Sequence, residues 1–275
     1  MHKSLKINWH KSSNFGDQLN PYLVKKMWGL DSFKIKEGQN EPHLMMIGSI
    51  LNEANSSSLV MGSGFVDSDR KFNGFPKFIT VRGKNTLNVL NDRGFNNNIG
   101  IGDPAILMPD YFSPIVSNKK YDIGIIPHLI DQGYVFEKFR RIRKSKVINL
   151  RLKDDEFVGI ESIINTICSC RCIISSSLHG LIIAHAYGIP GIWCEFSDGV
   201  IGNGFKFKDY FSGHSKDENI PYLNLKYKET DIDVEDIKNQ ASNFIIDTNI
   251  EMGHMRKIKD DVHSIITDSS LKYLT

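Results

Sequence analysis

The stretch Cys172-Ile-Ile-Ser-Ser-Ser-Leu-His-Gly-Leu-Ile-Ile-Ala-His185 gives the clearest indication of the fold class of this 275-residue chain. Its first part belongs to the run Arg171–Ser175, which is mostly apolar and typical of a buried strand. Its second part belongs to Leu178–Tyr187, which is typical of a helix. Gly188 and Pro190 then end that helix. A buried strand that leads directly into a helix is the repeating unit of a parallel sheet, so this stretch predicts an α/β fold.

Short apolar runs alternate with amphipathic segments throughout the chain. The runs predict strands at Leu5–Trp9, Leu44–Gly48, Leu59–Gly62, Phe78–Arg82, Ile123–Pro127, Lys146–Leu150, Arg171–Ser175 and Gly191–Cys194. The amphipathic segments predict helices at Gln18–Trp28, Thr86–Arg93, Asp131–Arg141, Asp155–Cys168, Leu178–Tyr187, Val234–Phe244 and Met255–Thr267. By contrast, Val200–Tyr222 is rich in Gly, Phe and Lys, and we predict a loop region there.

A predicted joint divides the chain into two α/β units. Pro109–Lys120 contains two prolines and several polar residues, and it has no apolar period. It leaves residues 1–112 as an N-terminal domain and residues 120–275, with two C-terminal helices, as a C-terminal domain. The chain length suits two domains of about 100–150 residues each. Two such domains enclose a cleft, which is a common place for a ligand.

The composition excludes several classes of protein. Lysine and arginine number 34 and aspartate and glutamate 32, so the net charge of +2 lacks the basic excess of a nucleic-acid binder. Four cysteines in so long a chain make no disulfide framework, which favours a reducing compartment. No run reaches the roughly 18 apolar residues of a membrane span, and the N-terminus lacks the apolar core of a signal peptide. We therefore predict a cytoplasmic protein.

Three of the cysteines, Cys168, Cys170 and Cys172, raise the question of a metal site. Their spacing differs from the paired spacing of structural zinc sites, and they span a helix end and a strand start. We expect thiols packed in the core. The chain is predicted to bind no metal.

Open α/β sheets bind ligands at the carboxyl ends of their strands. Five loops follow predicted strands in this way: Asn14–Asp17, Gly62–Phe65, Arg82–Lys84, Pro127–His128 and Ser175–His179. We expect a functional site to be built from these loops.

The serines Ser175, Ser176 and Ser177 lie between the buried strand and the helix. Three hydroxyls and the free N–H groups of a helix N-terminus, aided by the helix dipole, form a site for an anion. His179 lies in the first turn of that helix, where an imidazole could exchange protons with a substrate. The alternative is that the serines only cap the helix and His179 packs in the core.

The Asn14–Asp17 loop also places a glycine-containing turn before a helix. Asp17 could orient or deprotonate a hydroxyl group. The alternative is that Asp17 is a plain N-cap, which contributes about 1 kcal/mol. Gly64, in Gly62-Ser-Gly64, would permit close approach of a ligand to the backbone.

Two pairs of cations are candidates for binding an anion. Arg82 and Lys84 lie at a predicted strand end, which suits a phosphate or a carboxylate. Lys206 and Lys208 alternate with aromatic residues and are predicted to share one face of an extended segment. For both pairs the alternative is an ordinary solvated surface charge.

A set of short motifs keeps one order over residues 14–211. The motifs are Asn14-Phe-Gly-Asp-Gln-Leu-Asn-Pro-Tyr22, Gly48-Ser-Ile-Leu51, Gly62-Ser-Gly-Phe65, Val81-Arg-Gly83, Gly102-Asp-Pro-Ala-Ile-Leu107, Ile126-Pro-His128, Ser175-Ser-Ser-Leu-His-Gly-Leu181, Ala186-Tyr-Gly-Ile-Pro-Gly-Ile-Trp193 and Phe205-Lys-Phe-Lys-Asp-Tyr-Phe211. Together they resemble the polysaccharide pyruvyl transferase family, and in particular its branch in bacterial exopolysaccharide assembly. The ordered set is more specific than any single motif.

The resemblance implies a fold like that of type B glycosyltransferases (GT-B), with two Rossmann-like domains facing across a cleft. It implies an enzyme that moves the pyruvyl group of phosphoenolpyruvate onto two hydroxyls of one sugar, leaving a cyclic ketal and phosphate. Phosphoenolpyruvate is then a co-substrate, and no cofactor is needed. The acceptor would belong to a bacterial surface polysaccharide or its lipid-linked precursor, with transient contact at the inner face of the membrane.

The resemblance also assigns roles to residues. The serine–leucine–histidine motif gives His179 the acid/base role, with Asp17 as a second catalytic candidate. Donor-binding residues in the site would be Ser175, Ser176, Ser177, Arg82, Lys84, Lys206 and Lys208. Acceptor-binding residues, mainly in the N-terminal domain, would be Asn14, Gly16, Gly64 and His128. Many family members carry Arg where this chain has Ser177, so another cation must contact the donor here.

Two other classes of function share parts of this pattern. A metal-independent glycosyltransferase that uses a nucleotide sugar would have the same fold, and the serine-rich helix start could hold a diphosphate. A non-enzymatic carbohydrate-binding module is the third class. Such modules rarely need a buried strand that leads into an anion-binding helix start.

Overall fold

The computed structural model describes residues 3–36, 39–95, 98–152, 156–214, 220–226 and 233–275. These residues contain two parallel β-sheets. The first sheet has the order β2-β1-β3-β4-β5-β6 and consists of β1 (Ser4–Ile7), β2 (Asp31–Lys34), β3 (His43–Met45), β4 (Ser58–Met61), β5 (Lys77–Val81) and β6 (Gly100–Ile101). The second has the order β11-β10-β9-β7-β8 and consists of β7 (Tyr121–Ile126), β8 (Ser145–Val147), β9 (Cys170–Ser175), β10 (Gly191–Glu195) and β11 (Tyr222–Asn224).

Helices connect and cover the strands. The α-helices are α1 (Phe15–Trp28), α2 (Lys84–Asn91), α3 (Gln132–Phe139), α4 (Glu156–Cys168), α5 (Leu178–Ala186), α6 (Phe205–Ser212), α7 (Val234–Ser242) and α8 (Asn249–Thr267). Short 3₁₀ helices lie at Leu51–Glu53, Pro104–Asp110 and Ser269–Leu271. Each predicted strand and helix overlaps an observed one, which confirms the α/β class. The predicted first residue of α4, Asp155, lies outside the described residues.

Three strands, β2, β6 and β11, were not predicted from the sequence. Each is two to four residues long and lies at the edge of its sheet. Edge strands are paired on one side only, so they need neither the length nor the apolar run by which interior strands are found. The first sheet therefore has two more strands than predicted, and the second sheet has one more.

The helix α6 corrects the prediction that Val200–Tyr222 is a loop region. Its side chains Phe207, Tyr210 and Phe211 are buried, and their spacing of three and four is that of one helix face. Lys206 and Lys208 are therefore on different faces of a helix, since residues two apart do not face the same way. The prediction of one extended face for both lysines is wrong.

The two sheets share a hydrophobic core. The helices α1 and α5 contact each other, and the 3₁₀ helix Pro104–Asp110 contacts both. Leu19 of α1, Ile106 of the 3₁₀ helix and Ile182 of α5 are all fully buried in the same cluster. The first turns of α1 and α5, which follow β1 and β9, meet at this junction.

The C-terminal end of the chain packs against the first sheet. The apolar stripe of α8, including Met255 and Val262, is buried in the shared core, and Arg256 bonds Asp110 at 2.7 Å. Beyond α8, the Lys6 N–H donates to the Tyr273 carbonyl at 2.9 Å. Residues that we assign by sequence to the C-terminal domain thus contact the N-terminal one.

Within the described residues, no helix combines the length and the apolar character that crossing a bilayer requires.

Candidate active site

The turn between β9 and α5 is held by the hydroxyls of its first two serines. Ser175 Oγ donates to the Ile126 carbonyl and accepts from the Ser177 N–H, both at 2.9 Å. Ser176 Oγ donates to Asp131 Oδ2 at 2.9 Å. Ser177 precedes α5 and makes no side-chain cap bond to it. Ser175 and Ser176 thus fix the turn, and Ser177 is the serine left at the start of the helix.

The loop after β7 is tied to the same turn. The His128 N–H donates to Ser176 Oγ at 2.8 Å, and His128 is half-buried. Burial, and then the charge of Lys206, lower the pKa of His128 to about 4. His128 is therefore a neutral imidazole near neutral pH.

The imidazole of His179 lies between two segments that follow strands of the first sheet. Its Nε2 is 3.9 Å from Asp103 Oδ2, at the start of the 3₁₀ helix Pro104–Asp110. On its other side is Gly16 of α1, where an added β-carbon would come within 2.3 Å of Nδ1. The side chain is 13% exposed. Gly16 is thus the residue that leaves room for this ring.

The environment of His179 keeps the ring neutral. Burial lowers the pKa of His179 to about 3, and the positive charges of Arg82 and Lys206 act in the same direction. A charged imidazole would lose its hydration here and face two cations. At neutral pH one ring nitrogen of His179 therefore has a free lone pair, and the imidazolium formed when the ring takes a proton is a strong acid.

Lys206 is the cation whose charge reaches several of the predicted site residues. It lies at the start of α6, and its charge acts on Asp17, His128 and His179. Burial and the nearby Arg82 lower the pKa of Lys206 to about 8. The Lys206 ammonium is partly desolvated and lies 5.4 Å from the centroid of the Phe207 ring, and no ion pair among the described residues includes it. Such a cation is well placed for an anionic ligand.

Asp17 lies in the first turn of α1 and is not its N-cap. The helix begins at Phe15, three residues before the predicted start, and Asn14 Oδ1 accepts from the Gly16 N–H at 2.8 Å. Asp17 Oδ2 instead accepts from Ser12 Oγ at 2.6 Å. Burial raises the pKa of Asp17 above its usual value. The capping alternative for Asp17 is therefore wrong, because the N-cap is Asn14.

Arg82 is fully buried, and all three of its nitrogens are bound within the protein. Nε donates to Asp209 Oδ2 of α6 at 2.9 Å, Nη1 to Ser49 Oγ at 2.8 Å and Nη2 to the Phe65 carbonyl at 2.6 Å. Gly64 lies against this guanidinium, because an added β-carbon would come within 2.5 Å of Cζ. The surface-charge alternative is wrong for Arg82, which ties the first half of the molecule to α6.

The other two predicted cations lie apart from this cluster. Lys84 is exposed, and its backbone N–H donates to Ser212 Oγ. Ser212 is at the far end of α6, about 9 Å along the helix axis from Lys206. Lys208 is exposed and lines a separate cavity with Trp193 and Tyr222. The structure thus brings together His179, Gly16, Asp17, His128, Lys206 and the three serines, and it does not bring Lys84 or Lys208 to them.

Four acidic residues near this cluster were missed in the sequence: Asp103, Asp131, Asp209 and Glu251. Asp103 is the second residue after β6, so the strand-end rule would have selected its loop had that strand been predicted. Asp209 was missed because the sequence of α6 was interpreted as a loop, in which a buried carboxylate is not expected. Glu251 lies in the first turn of α8, which begins six residues before its predicted start.

The cysteines are buried, unpaired thiols. Burial raises the pKa of Cys168 and of Cys172 to about 11, and that of Cys170 to about 12. A thiol that holds its proton is a poor metal ligand. In the part of the chain that the structure describes, no group of three or more His, Cys, Asp or Glu side chains is arranged to hold a metal ion.

The contact between Gly16 and His179 gives a first testable prediction. Gly16→Ala is expected to displace the imidazole and lower kcat about 10²-fold, because a misplacement of about 1 Å is enough for such a loss. Gly133→Ala is the matched control, since nothing lies within 4 Å of a β-carbon at that helical position. Steady-state kinetics of the two variants, with melting temperatures, make the comparison. Equal kcat values would show that the ring does not need its present position.

The sequence profile of the family described as polysaccharide pyruvyl transferase matches residues 27–198. The chain belongs to this family of transferases, which confirms the resemblance drawn from the motifs. It is 32% identical over 227 residues to the uncharacterized protein L143 of Acanthamoeba polyphaga mimivirus, over 78% of this chain and 76% of that protein. It is 27% identical over 201 residues to the succinoglycan biosynthesis protein ExoV of Rhizobium meliloti (strain 1021), over 72% of this chain and 60% of that protein. The second similarity agrees with the exopolysaccharide branch.

Among solved structures, the chain is similar to a functionally uncharacterized protein, KP1_0663, from Klebsiella pneumoniae. The similarity covers 76% of this chain and 91% of that one, at 15% sequence identity and a TM-score of 0.41.

Proposed function

We propose that the protein transfers the pyruvyl group of phosphoenolpyruvate to two hydroxyls of one sugar in a surface polysaccharide or its lipid-linked precursor. The observation that carries this proposal is the neutral imidazole of His179, placed at the start of α5 beside the cations Arg82 and Lys206. Family membership supports the transferase class. The site combines a base with fixed positive charge, which is what this reaction requires.

The reaction needs proton transfer and charge stabilisation, and it needs no redox chemistry. Two bonds form between sugar oxygens and C2 of the enolpyruvyl group, and the bond from C2 to the phosphate oxygen breaks. Of the two hydroxyl protons, one is balanced by the proton gained at the methylene carbon and the other by the proton on the released phosphate. An enzyme accelerates these steps by stabilising the charges that develop in them.

In this proposal His179 takes the proton of the attacking hydroxyl and, as imidazolium, delivers a proton to the methylene carbon. Its low pKa makes the imidazolium a strong acid, which suits the protonation of carbon. Asp17 and His128 act on the second hydroxyl. The acceptor then lies beside Asn14, Gly16 and Gly64, on the N-terminal side of a GT-B arrangement formed by residues 1–112 and 120–275.

The donor site is proposed to consist of Lys206, Ser177 and the N-terminus of α5. Lys206 supplies the cation that Arg would supply at position 177 in other members, and the helix N-terminus offers N–H groups to the carboxylate or phosphate. Arg82 contributes charge through space, since its nitrogens are already bound. Ser175 and Ser176 shape the turn rather than bind the donor.

Lys206→Ala is expected to raise the KM for phosphoenolpyruvate about ten- to hundred-fold, because it removes a charge-assisted contact of about 1.5–3 kcal/mol. Lys208→Ala is the matched control, an exposed lysine on another face of the same helix. In the wild type this KM is expected to rise above about pH 8, where Lys206 loses its proton. Steady-state kinetics between pH 6 and 9 measure both effects. An unchanged KM in Lys206→Ala would show that the donor binds elsewhere.

Thermal-shift titration tests the identity of the donor. Phosphoenolpyruvate at about 100 times its Kd is expected to stabilise the protein by about 2.7 kcal/mol, and UDP- or GDP-sugars are expected to have no effect. Stabilisation by a nucleotide sugar alone would instead identify a glycosyltransferase.

A further inference from the structure

Two buried polar atoms face each other behind the site without a hydrogen bond. They are His179 Nε2 and Asp103 Oδ2, 3.9 Å apart, and neither has a partner among the described residues. A buried polar atom left unpaired costs about 1–3 kcal/mol. The separation exceeds that of an N–H···O bond by about 1 Å, so a small movement of the ring would satisfy both atoms.

Asp103 is held by one contact of its side chain and one of its backbone. Asp103 Oδ1 accepts from the Ala105 N–H at 2.9 Å, which makes Asp103 the N-cap of the 3₁₀ helix. Its N–H donates to Glu251 Oε1 of α8 at 3.0 Å, and Glu251 Oε2 is 3.1 Å from His214 Nε2. Of the two carboxylate oxygens of Asp103, Oδ1 is thus held by a hydrogen bond and Oδ2 faces the imidazole of His179.

We propose that Asp103 is a positioning residue for His179: it accepts a hydrogen bond from Nε2–H and so leaves the lone pair of Nδ1, beside Gly16, to face the acceptor. This inference rests on the proposed function of His179. When Nδ1 takes the hydroxyl proton, the carboxylate stabilises the imidazolium, and the proton leaves again from Nδ1.

The charges around Asp103 allow this role. Five groups face it: His179 of α5, Arg82 after β5, Asp209 and Tyr210 of α6, and Glu251 of α8. Arg82 and Asp209 form a buried ion pair, and burial raises the pKa of Glu251 to about 8, so that group is neutral at pH 7. Burial raises the pKa of Asp103 to about 6. Above that pH the negative charge opposite His179 rests on Asp103.

The tautomer of His179 tests the proposal without any substrate. In the wild type labelled with ¹⁵N-histidine, NMR at pH 7.5 is expected to show His179 neutral, with its proton on Nε2. His179→Gln removes these signals and so assigns them. A proton on Nδ1, or an even mixture of tautomers, would overturn the proposal. Because this measurement uses the wild type, it decides the question even if variants of Asp103 do not fold.

Asp103→Asn supplies the second test, because its amide can donate to Nε2 and so favours the wrong tautomer. We expect kcat to fall about 10²- to 10⁴-fold with the phosphoenolpyruvate KM unchanged. The wild type should also lose activity as the pH falls through about 6, where Asp103 is protonated, and the variant should lack this dependence. Asp110→Asn, in the same 3₁₀ helix, is the matched control.

The outcomes separate this inference from the proposed function. A wild type with the expected tautomer and no pyruvyl transfer would contradict the function and leave the positioning of His179 standing. Pyruvyl transfer with unchanged kcat and pH profile in Asp103→Asn would contradict the positioning and leave the function standing.

Discussion

His179→Gln is expected to lower kcat about 10²- to 10⁴-fold, the range for loss of a general acid–base group. The variant keeps a polar side chain of similar reach but cannot take up and release a proton. Folding and phosphoenolpyruvate affinity should be nearly unchanged, because the described residues give the imidazole no hydrogen bond that holds the fold. Steady-state kinetics and a melting curve measure the three quantities.

His254→Gln is the matched control for this prediction, as an exposed histidine of α8 outside the cluster. It should retain wild-type kcat. If His179→Gln keeps more than about a tenth of wild-type turnover, His179 is a packing residue, and Asp17 and His128 become the candidates for the base.

Arg82→Met is expected to lower the free energy of unfolding by about 3–5 kcal/mol, the usual cost of breaking a buried ion pair. Asp209 would be left as a buried carboxylate whose remaining contacts are the N–H and hydroxyl of Thr86. For a chain of this size the melting temperature should fall on the order of 10 °C. Urea denaturation and differential scanning calorimetry measure both quantities.

Lys84→Ala is the control for Arg82→Met, because an exposed cation away from such contacts changes stability by about 0.5 kcal/mol or less. A wild-type melting temperature in Arg82→Met, together with a raised KM for phosphoenolpyruvate, would contradict the structural role. That result would restore Arg82 as a direct ligand of the donor.

The class of fold could be predicted because the interior strands are continuous apolar runs. Arg171–Ser175 and the helix after it are defined by residue types alone, so β9 and α5 are found nearly as observed. The edge strands and α6 could not be found in this way. In α6 the aromatic residues alternate with lysines at its start, and only the contacts of Phe207, Tyr210 and Phe211 show that the buried spacing is helical.

The site could be predicted where its residues follow interior strands. The strand-end rule selected Asn14–Asp17, Pro127–His128 and Ser175–His179, and the structure brings these loops together. The rule could not show that Arg82 is paired within the protein rather than available to a ligand, because its partner Asp209 lies 127 positions away in the chain. For the same reason, the approach of Asp103 to His179 depends on how the two sheets pack, and no local pattern encodes it.

The proposed function is the formation of a pyruvyl ketal from phosphoenolpyruvate, with His179 transferring the protons. It is tested most directly by incubating the enzyme in D₂O with phosphoenolpyruvate and a panel of nitrophenyl glycosides. We expect a ketal product whose methyl group carries a single deuterium, formed together with phosphate, and far less of this product with His179→Gln. A sugar product without a pyruvyl group would contradict the proposed reaction, and a ketal formed equally fast by His179→Gln would contradict the role of His179.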